Sequence, residues 1–541
     1  MSVNSKFILV NNVKMPINAS FKEAFSVAKG RLSRLGLAGA ATKYSIYRRS
    51  VDARKKPDIY FVYSVLAEGD FLNVDADRLR VADMAIVNPC ASPEILHGDG
   101  ELSAPPVIVG AGPAGLFAAL LLAESGYNPV ILERGGSVAE RQEAVRRFNL
   151  THILDTDTNI QFGAGGAGTF SDGKLVTRIN DALSGYILER FVEFGAPEDI
   201  RYIAKPHIGT DILSVVVDRM IEKICALGGS IHYHTKFLSP IISGGEVSGV
   251  RTDMGDFPAG ALILAIGHSA RDTYMNLISG GFVIEPKPFS VGMRIEHLTE
   301  DIDRAMYGDM AGNEHLGHAE YALSNDTKGR GTYTFCMCPG GEVVAAASEE
   351  GGVVVNGMSY HSRSGRNSNS AVVATIFRED YGATPTAAIE FQRNIERRAF
   401  LTGGGEYRAP IITVGDFLTG KRGSEPTRIT PTYMNGENVR LADPKDFLPS
   451  YVCESIRGAI SAFDRKISGF AAHDAILTGA ETRTSAPVRI MRDTETRVAV
   501  GYRNIYPAGE GAGYAGGITS AAVDGAKSAL ALMRAYSPIS K

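Results

Sequence analysis

A strand, a tight glycine turn and a helix follow one another near residue 110, and this succession constrains the chain most. An apolar run ends at Val109, glycines stand at Gly110, Gly112 and Gly115, and an apolar helical pattern follows. Such glycines permit a tight turn, a close approach of backbone to a ligand and close packing of the helix. The helix N-terminus then favours an anion, and Glu133 at the end of the next strand can accept from ribose hydroxyls. The pattern predicts a site for an adenine dinucleotide.

Length and composition limit the class of protein. A chain of 541 residues exceeds one ordinary domain, and 44% hydrophobic residues with 60 glycines are typical of an α/β fold with many turns. The net charge of −4 gives no global reason to expect nucleic acid or a membrane. Five cysteines, mostly far apart, do not form a disulfide pattern, so we expect a reducing cytoplasm. Neither a signal peptide nor a membrane-spanning run is recognisable.

The dinucleotide motif stands unusually late, which indicates a separate module before it. Strand-like residues 6–10, helical residues 21–35 and strand-like residues 43–47 and 58–65 give a βαββ order, compatible with a ferredoxin-like sandwich. The glycine- and proline-punctuated residues after 280 resemble an inserted, β-rich substrate domain. We therefore predict four segments: a small basic α/β domain at 1–99, a first part of the dinucleotide-binding domain at 100–280, a substrate domain at 281–455 and the C-terminal part of the dinucleotide-binding domain at 456–541.

Charge is unevenly distributed along the chain. Residues 1–60 contain twelve Lys or Arg against three Asp or Glu. Two interpretations stay open for the basic group near Arg48 and Lys56. It forms a solvated face balanced by acidic residues elsewhere, or it meets RNA, an acidic protein or the neighbouring domain.

Two further elements favour FAD over a nicotinamide as the resident dinucleotide. The apolar strand at 261–267 ends in Gly267, and its pattern resembles the second signature of glutathione-reductase-like flavoproteins. Gly509 and Glu510 stand where those proteins carry Gly-Asp, and a carboxylate there can hold a ribitol hydroxyl. The helix that starts near Ile518 can direct its positive end at the flavin pyrimidine. Because Glu is one methylene longer than Asp, its contact is an expectation rather than a match.

The chain resembles the bacterial FAD-dependent dehydrogenases often labelled NAD(FAD)-utilizing dehydrogenases. The resemblance covers nearly the whole chain and implies a Rossmann-like FAD-binding domain, interrupted by a β-rich substrate domain and preceded by a small α/β domain. It implies no particular substrate. The motifs that carry it lie at residues 50–54, 163–175, 334–341, 356–360 and 508–518.

Three side chains are candidates for chemistry. Cys336 and Cys338 lie two residues apart, so on a regular strand both thiols point to one side. They either exchange electrons with the flavin or are structural thiols in a buried strand. Lys174 either neutralises the reduced flavin or salt-links its loop, while His268 is expected to pack or hydrogen-bond rather than act as a base. Since two thiolates are too few for a closed zinc site, we predict no metal.

The predicted contacts to FAD comprise the glycine turn, the strand end after it, the glycine-dense loop and the C-terminal turn and helix. These residues are Gly110, Gly112, Pro113, Ala114, Gly115, Glu133, Arg134, Arg141, Gly165, Gly166, Thr169, Ser171, Asp172, Gly173, Lys174, Lys236, Phe237, Gly267, His268, Gly509, Glu510, Gly516, Gly517 and Ile518.

The leading hypothesis for function is an FAD-dependent oxidoreductase that transfers a hydride between FAD and a small organic substrate. A second Rossmann motif is not recognisable, so NAD(P)H would act only as a transient electron donor bound in the substrate domain. Two alternatives stay open. One is an RNA-directed flavoprotein that uses the basic N-terminal domain, and the other is a redox-sensing flavoprotein without turnover.

Overall fold

The computed structural model describes residues 2–88, 92–177, 179, 181–421 and 423–539, and the chain divides into two units. Cys90 lies outside the described residues, as do Pro89 and Ala91 beside it. The first unit comprises Met1–Pro93, Arg178–His207 and Glu300–Ala319, and the second comprises the rest of the chain.

The first unit contains a four-stranded antiparallel sheet. Its strands, in spatial order, are Ala41–Asp52, Tyr60–Asp75, Ser2–Pro16 and Met84–Ile86, and its helices are Phe21–Ser33 and Ala76–Val81. Alternate residues of the central strand, among them Phe61, Tyr63 and Val65, are buried against these helices. The predicted βαββ order is confirmed, and a second helix and a fourth strand complete the ferredoxin-like arrangement.

Two distant segments join the first unit. They carry the helix Leu183–Glu193 and most of the helix Thr299–Tyr307. The amide of Arg49 donates to the carbonyl of Tyr202 at 2.7 Å, and the amide of Ala204 donates to that of Arg49 at 2.8 Å. Residues 178–207 and 300–319 were predicted in the FAD-binding and substrate domains. In the structure they group with the N-terminal sheet. The sequence did not indicate this grouping, because pairing at the edge of a sheet leaves no local pattern in sequence.

Part of the basic N-terminal charge is used locally. Arg54 pairs with Asp52 at 2.7 Å, and the guanidinium of Arg49 lies over the rings of Phe61 and Tyr202. Arg54 itself is largely exposed, so this pair contributes little to stability. The interaction of this region with nucleic acid stays a prediction.

The second unit is built on a five-stranded parallel sheet, whose strands are apolar because both faces are covered. In spatial order they are Ile505–Pro507, Leu262–Leu264, Val107–Val109, Val130–Leu132 and Ser230–His232. The helices of this region are Pro113–Glu124, Val138–Thr151, Thr210–Ala226, Arg271–Ser279 and Ile518–Ala535. Because the last strand and last helix come from the end of the chain, the Rossmann-like domain is interrupted, as predicted.

Smaller sheets flank the parallel sheet. A hairpin that turns at residue 244 is extended by a third strand. These strands are Phe237–Ser243, Glu246–Thr252 and Gly255–Pro258, and two-stranded sheets pair Ile284–Pro286 with Val488–Ile490 and Glu342–Ala345 with Val355–Met358.

A seven-stranded sheet forms the β-rich part of the second unit. Its strands, in spatial order, are Ser324–Thr327, Arg330–Cys338, Asn367–Ile376, Phe289–Leu298, Ile476–Glu481, Ala409–Thr413 and Val439–Leu441. The sheet extends past the predicted boundary at 455, because the strand that ends at Glu481 pairs with its centre. The helices here are Arg378–Tyr381, Pro385–Gly403, Val414–Thr419 and Ser450–Asp464. No helix in the described ranges is long and apolar enough to cross a membrane.

Candidate cofactor and substrate site

One cavity of the second unit lies at the carboxyl ends of the parallel strands, where ligands of such sheets bind. It is bordered by Val109, Leu132 and Ala265 at three strand ends and continues to the seven-stranded sheet at Glu481. Most predicted site residues meet here. Those that border the cavity are Gly110, Gly112, Pro113, Ala114, Glu133, Arg134, Gly166, Ser171, Asp172, Lys174, Lys236, Phe237, Gly267, His268, Cys336, Glu510, Gly516, Gly517 and Ile518.

The glycine turn is packed too tightly for side chains. Gly110 has φ +101°, and an added Cβ would lie 2.4 Å from the carbonyl oxygen of Ala265. At Gly115 an added Cβ would lie 1.9 Å from the carbonyl oxygen of Gly110. Gly112 differs, since the nearest described atom to its added Cβ is the Cα of Gly166 at 3.8 Å. The first and third glycines are therefore required by the turn itself, and the second leaves space for a ligand.

Two helix N-termini face this cavity. The helix Pro113–Glu124 starts after Gly112, and the helix Ile518–Ala535 starts after Gly517. Within the described residues neither helix has a side-chain N-cap, so their first N–H groups are available to a ligand. One N-terminus suits a pyrophosphate, and the other suits the electron-rich pyrimidine of a flavin. This pairing, together with the space at Gly112, fits FAD.

Glu133 has a double role in this wall. Its carboxylate accepts backbone N–H bonds from Ala111 at 2.8 Å, Gly135 at 3.0 Å and Gly163 at 2.9 Å. These bonds tie the glycine turn to the glycine-dense loop. A carboxylate has about four acceptor positions, so one remains for a ribose hydroxyl.

Four charged side chains cluster at the cavity end beyond Glu133. Arg134 pairs with Asp157 at 2.6 Å and with Asp272 at 3.0 Å, and Lys236 reaches Asp272 at 2.7 Å. The guanidinium of Arg134 also lies 4.0 Å from the ring centre of Phe162. The cluster is balanced in charge, and its two carboxylates fix the plane of the Arg134 guanidinium. A guanidinium held in this way suits stacking with an aromatic base.

The other predicted residues, all of them described, lie behind the cavity wall. Arg141 is fully buried and donates to the carbonyls of Asn159 at 3.1 Å and Ile160 at 3.0 Å, and also to that of Ala164. Burial lowers the pKa of Arg141 to about 10, with the carboxylate of Glu133 opposing that effect. It therefore shapes the glycine-dense loop rather than facing a ligand. The residues behind the wall are Gly115, Arg141, Gly165, Thr169, Gly173, Cys338 and Gly509.

Lys174 makes the contacts that the second of its two predicted roles requires. Its ammonium donates to the carbonyl of Met337 and lies 3.9 Å from Asp172 and 3.7 Å from Glu320. The lysine thus links its loop to the seven-stranded sheet. Its side chain also borders the cavity, and the neutralisation of a reduced flavin by its charge stays a prediction.

The polar loop after Tyr360 is held by buried contacts rather than exposed to solvent. Arg363 is 9% exposed and pairs with Asp172 and Glu320. Asn369 lies in a buried strand and accepts a 2.8 Å bond from Arg294. Both residues therefore have structural partners. The strand begins at Asn367, within a run of polar residues that does not have the composition of a buried strand.

Two titratable groups in the wall have shifted pKa values. Burial, assisted by Arg483 and Arg271, lowers the pKa of His268 to about 3, so its imidazole is neutral at physiological pH. Its Nδ1 lies 2.9 Å from the hydroxyl of Ser269. Burial also raises the pKa of Glu510 to about 7, against the opposing effect of Lys287. Glu510 is therefore able to hold a proton or accept one near neutral pH.

Sequence reasoning missed the residues that the seven-stranded sheet contributes. Phe335, Asn356, Glu481 and Arg483 all border the cavity. Arg483 is held by Glu396 at 3.0 Å, in a pair that is almost fully buried. The only sequence signal is a cluster of polar residues at 481–484 directly after a buried strand.

Comparisons with known proteins agree with this architecture. Residues 288–484 match a family described as FAD-dependent protein, C-terminal domain-like, and residues 108–161 match an NAD(P)-binding Rossmann-like domain. Residues 8–68 match a domain of unknown function. An uncharacterized protein of Clostridium beijerinckii is 43% identical over 525 residues, which cover 96% of this chain and 97% of that protein.

Solved structures of two enzymes are also similar to much of this chain, at low identity. L-amino acid deaminase from Proteus vulgaris is 12% identical, with a TM-score of 0.34, and the match covers 83% of this chain and 98% of that one. Glycine oxidase from Bacillus cereus is 10% identical, with a TM-score of 0.32, and the match covers 80% and 99%.

The two matched domains, the full-length relative and the geometry of the cavity point in one direction. Together they show that the chain belongs to the family of FAD-dependent oxidoreductases with this C-terminal domain, and that its cofactor is FAD.

Proposed function

We propose that the protein transfers a hydride between FAD and a small organic substrate that binds against the seven-stranded sheet. The observation that carries this proposal is the continuity of one cavity. It begins at the glycine turn near Gly112 and ends at Cys336, Asn356 and Arg483 on the other sheet. A substrate at that end would share one cavity with the cofactor.

The residues that would hold FAD divide by cofactor part. The turn at Gly112 would hold the pyrophosphate, Glu133 a ribose hydroxyl and Glu510 the ribitol chain. The N-terminus at Ile518 would stabilise negative charge on the flavin pyrimidine. When bound, FAD supplies a site that accepts or donates a hydride. The order of these elements along the chain supports the narrower assignment to glutathione-reductase-like flavoproteins.

The substrate end has a mixed chemical character. Phe335 offers apolar surface, Asn356 offers an amide, and Lys174 and Arg483 bring positive charge whose carboxylate partners are already in place. Such a lining suits a small, partly polar organic molecule. A nicotinamide dinucleotide would reach this end only as a transient electron donor, since a second glycine turn of the Rossmann type is not recognisable in the sequence.

The test combines a spectrum with anaerobic reduction. Purified protein should show the visible absorbance of bound flavin, and the Gly112→Ala variant should fold but lose most of it. Stopped-flow mixing with NADH or NADPH would then measure bleaching of the flavin. A colourless protein that takes up no FAD would overturn the proposal. If both nicotinamides leave the flavin oxidised but another metabolite reduces it, only NAD(P)H is excluded as electron donor, and the proposed hydride transfer stands.

A further inference from the structure

Two thiols lie where the strand Arg330–Cys338 meets the FAD cavity. Cys336 is partly exposed and borders the cavity, while Cys338 is fully buried behind it. The two are free cysteines in the part of the chain that the structure describes. One accessible and one shielded thiol therefore stand two residues apart at the substrate end.

The strand is not regular at this point, contrary to the expected alternation. Its register passes from Phe335 opposite Ala371 to Cys338 opposite Asn369, so it carries a bulge, and Cys336 has φ +45°. Non-glycine residues rarely adopt this conformation, and those that do concentrate at functional sites. The thiol of Cys338 donates to the carbonyl of Cys336 at 3.3 Å, so the two residues are joined within the bulge.

Two positive groups bind the backbone of this short segment. Arg294 donates to the carbonyl of Cys336 at 3.0 Å, and Lys174 donates to that of Met337. The neighbouring thiol of Cys338, assisted by Arg294 and Lys174, lowers the pKa of Cys336 to about 7. The proximity of the Cys336 thiol, together with burial, raises the pKa of Cys338 well above its usual value. Cys336 is therefore the thiolate, and Cys338 keeps its proton.

We propose that Cys336 and Cys338 form a redox pair that cycles between dithiol and disulfide, with a small organic disulfide as the electron-accepting substrate. This inference rests on the proposed function, because the electrons reach the pair from FAD that a hydride donor has reduced. A disulfide between these residues spans a distance near the upper limit on a regular strand, and the bulge bends the strand at that point.

The electron balance is closed in two steps. The S–S bond of the oxidised pair accepts two electrons and one proton from the reduced cofactor, which leaves Cys336 as thiolate and Cys338 as thiol. Cys336 then attacks one sulfur of the small disulfide and expels a thiolate, which takes the proton of Cys338. The sulfur of Cys338 next attacks that of Cys336, which restores the disulfide and releases the second thiolate.

The test counts electrons in the FAD-loaded protein. After treatment with glutathione disulfide and removal of the excess, an anaerobic dithionite titration should consume four electrons per FAD. The Cys336→Ser variant, which lacks the attacking thiol, should consume two, whereas the matched control Cys225→Ser should still consume four. The Cys338→Ser variant should instead retain glutathione on Cys336 as a mixed disulfide, which peptide mass analysis detects. Peptide mass analysis should find a Cys336–Cys338 disulfide before reduction, and the flavin spectrum reports whether each variant is folded.

The outcomes separate this inference from the proposed function. Uptake of two electrons per FAD by the wild-type protein, with both thiols still open to alkylation after denaturation, overturns the redox pair and leaves hydride transfer intact. Failure of every hydride donor to reduce the bound flavin overturns the proposed function, whatever the state of the thiols.

Discussion

Arg363 donates from Nε to Oδ1 of Asp172 at 3.0 Å, and a second hydrogen bond joins the same two side chains. Asp172 has no exposed surface, and it belongs to the glycine-dense loop that borders the cavity. The charge of this loop is thus neutralised from a distant part of the chain. The pair fastens the FAD-binding loop to the segment that leads into the substrate sheet.

Replacement of Arg363 by alanine should destabilise the protein strongly. The Arg363→Ala variant leaves the carboxylate of Asp172 buried and without its guanidinium, which costs about 3–5 kcal/mol for a buried pair. Chemical denaturation followed by circular dichroism measures the loss. Arg366→Ala removes an exposed arginine three residues away and should change stability by less than about 0.5 kcal/mol. Equal stability of the two variants would contradict the role of the pair.

The Gly112→Ala variant should lose FAD without losing its fold. Gly112 has φ −78°, which alanine adopts without strain, and its added Cβ would meet no described atom closer than 3.8 Å. The methyl group instead occupies the space for the pyrophosphate, so we expect at least about a tenfold loss of affinity, or 1.4 kcal/mol. Flavin fluorescence during dialysis measures release. The control Gly30→Ala, in open space on another helix, should retain wild-type affinity.

Local patterns explain why the nucleotide-binding half could be predicted. The turn at Gly110, the strand end at Glu133 and the turn at Gly509 each have their structure dictated by neighbours in sequence. Their order along the chain then fixes how the parallel sheet is assembled. The ferredoxin-like order followed for the same reason, since alternating residues such as Phe61 and Tyr63 mark a half-buried strand.

Long-range partners explain what the sequence could not predict. Arg483 looks like any surface arginine until Glu396, 87 residues earlier, pairs with it in the interior. The bulge at Cys336 depends on pairing with a strand that begins 31 residues later. No residue type in the strand Arg330–Cys338 predicts the left-handed conformation of Cys336. Contacts of this kind are set by tertiary packing rather than by local propensity.

Glu296 should make the stability of the protein depend on pH. Its carboxyl is fully buried, and Oε1 accepts from Asn367 and Thr432, while Oε2 has no hydrogen-bond partner among the described residues. Burial raises the pKa of Glu296 from 4.5 to about 7. Between these values the native state holds a proton that the unfolded chain has lost, so stability falls as pH rises.

The Glu296→Gln variant should remove this dependence, because a neutral amide replaces the protonated carboxyl. Between pH 4.5 and 8, the free energy of unfolding of the wild type should decrease by about 3 kcal/mol more than that of the variant. Urea denaturation at several pH values measures the difference. The exposed Glu300→Gln change should leave the wild-type slope intact, and a wild-type slope in Glu296→Gln would exclude burial of a titrating carboxyl there.

Alkylation of Cys336 should follow a pH profile with a midpoint near 7. The thiolate is the reactive form, and the neighbouring thiol of Cys338 is the largest cause of the lowered pKa of Cys336. Reaction of the reduced protein with iodoacetamide, read by peptide mass, should therefore rise through pH 7 at Cys336. Cys225 is exposed as a residue, but partial burial of its thiol raises its pKa, so Cys225 should react only at higher pH. In the Cys338→Ala variant the midpoint of Cys336 alkylation should shift to higher pH, toward that of an ordinary thiol. An unchanged midpoint would contradict the effect of Cys338 on the pKa of Cys336.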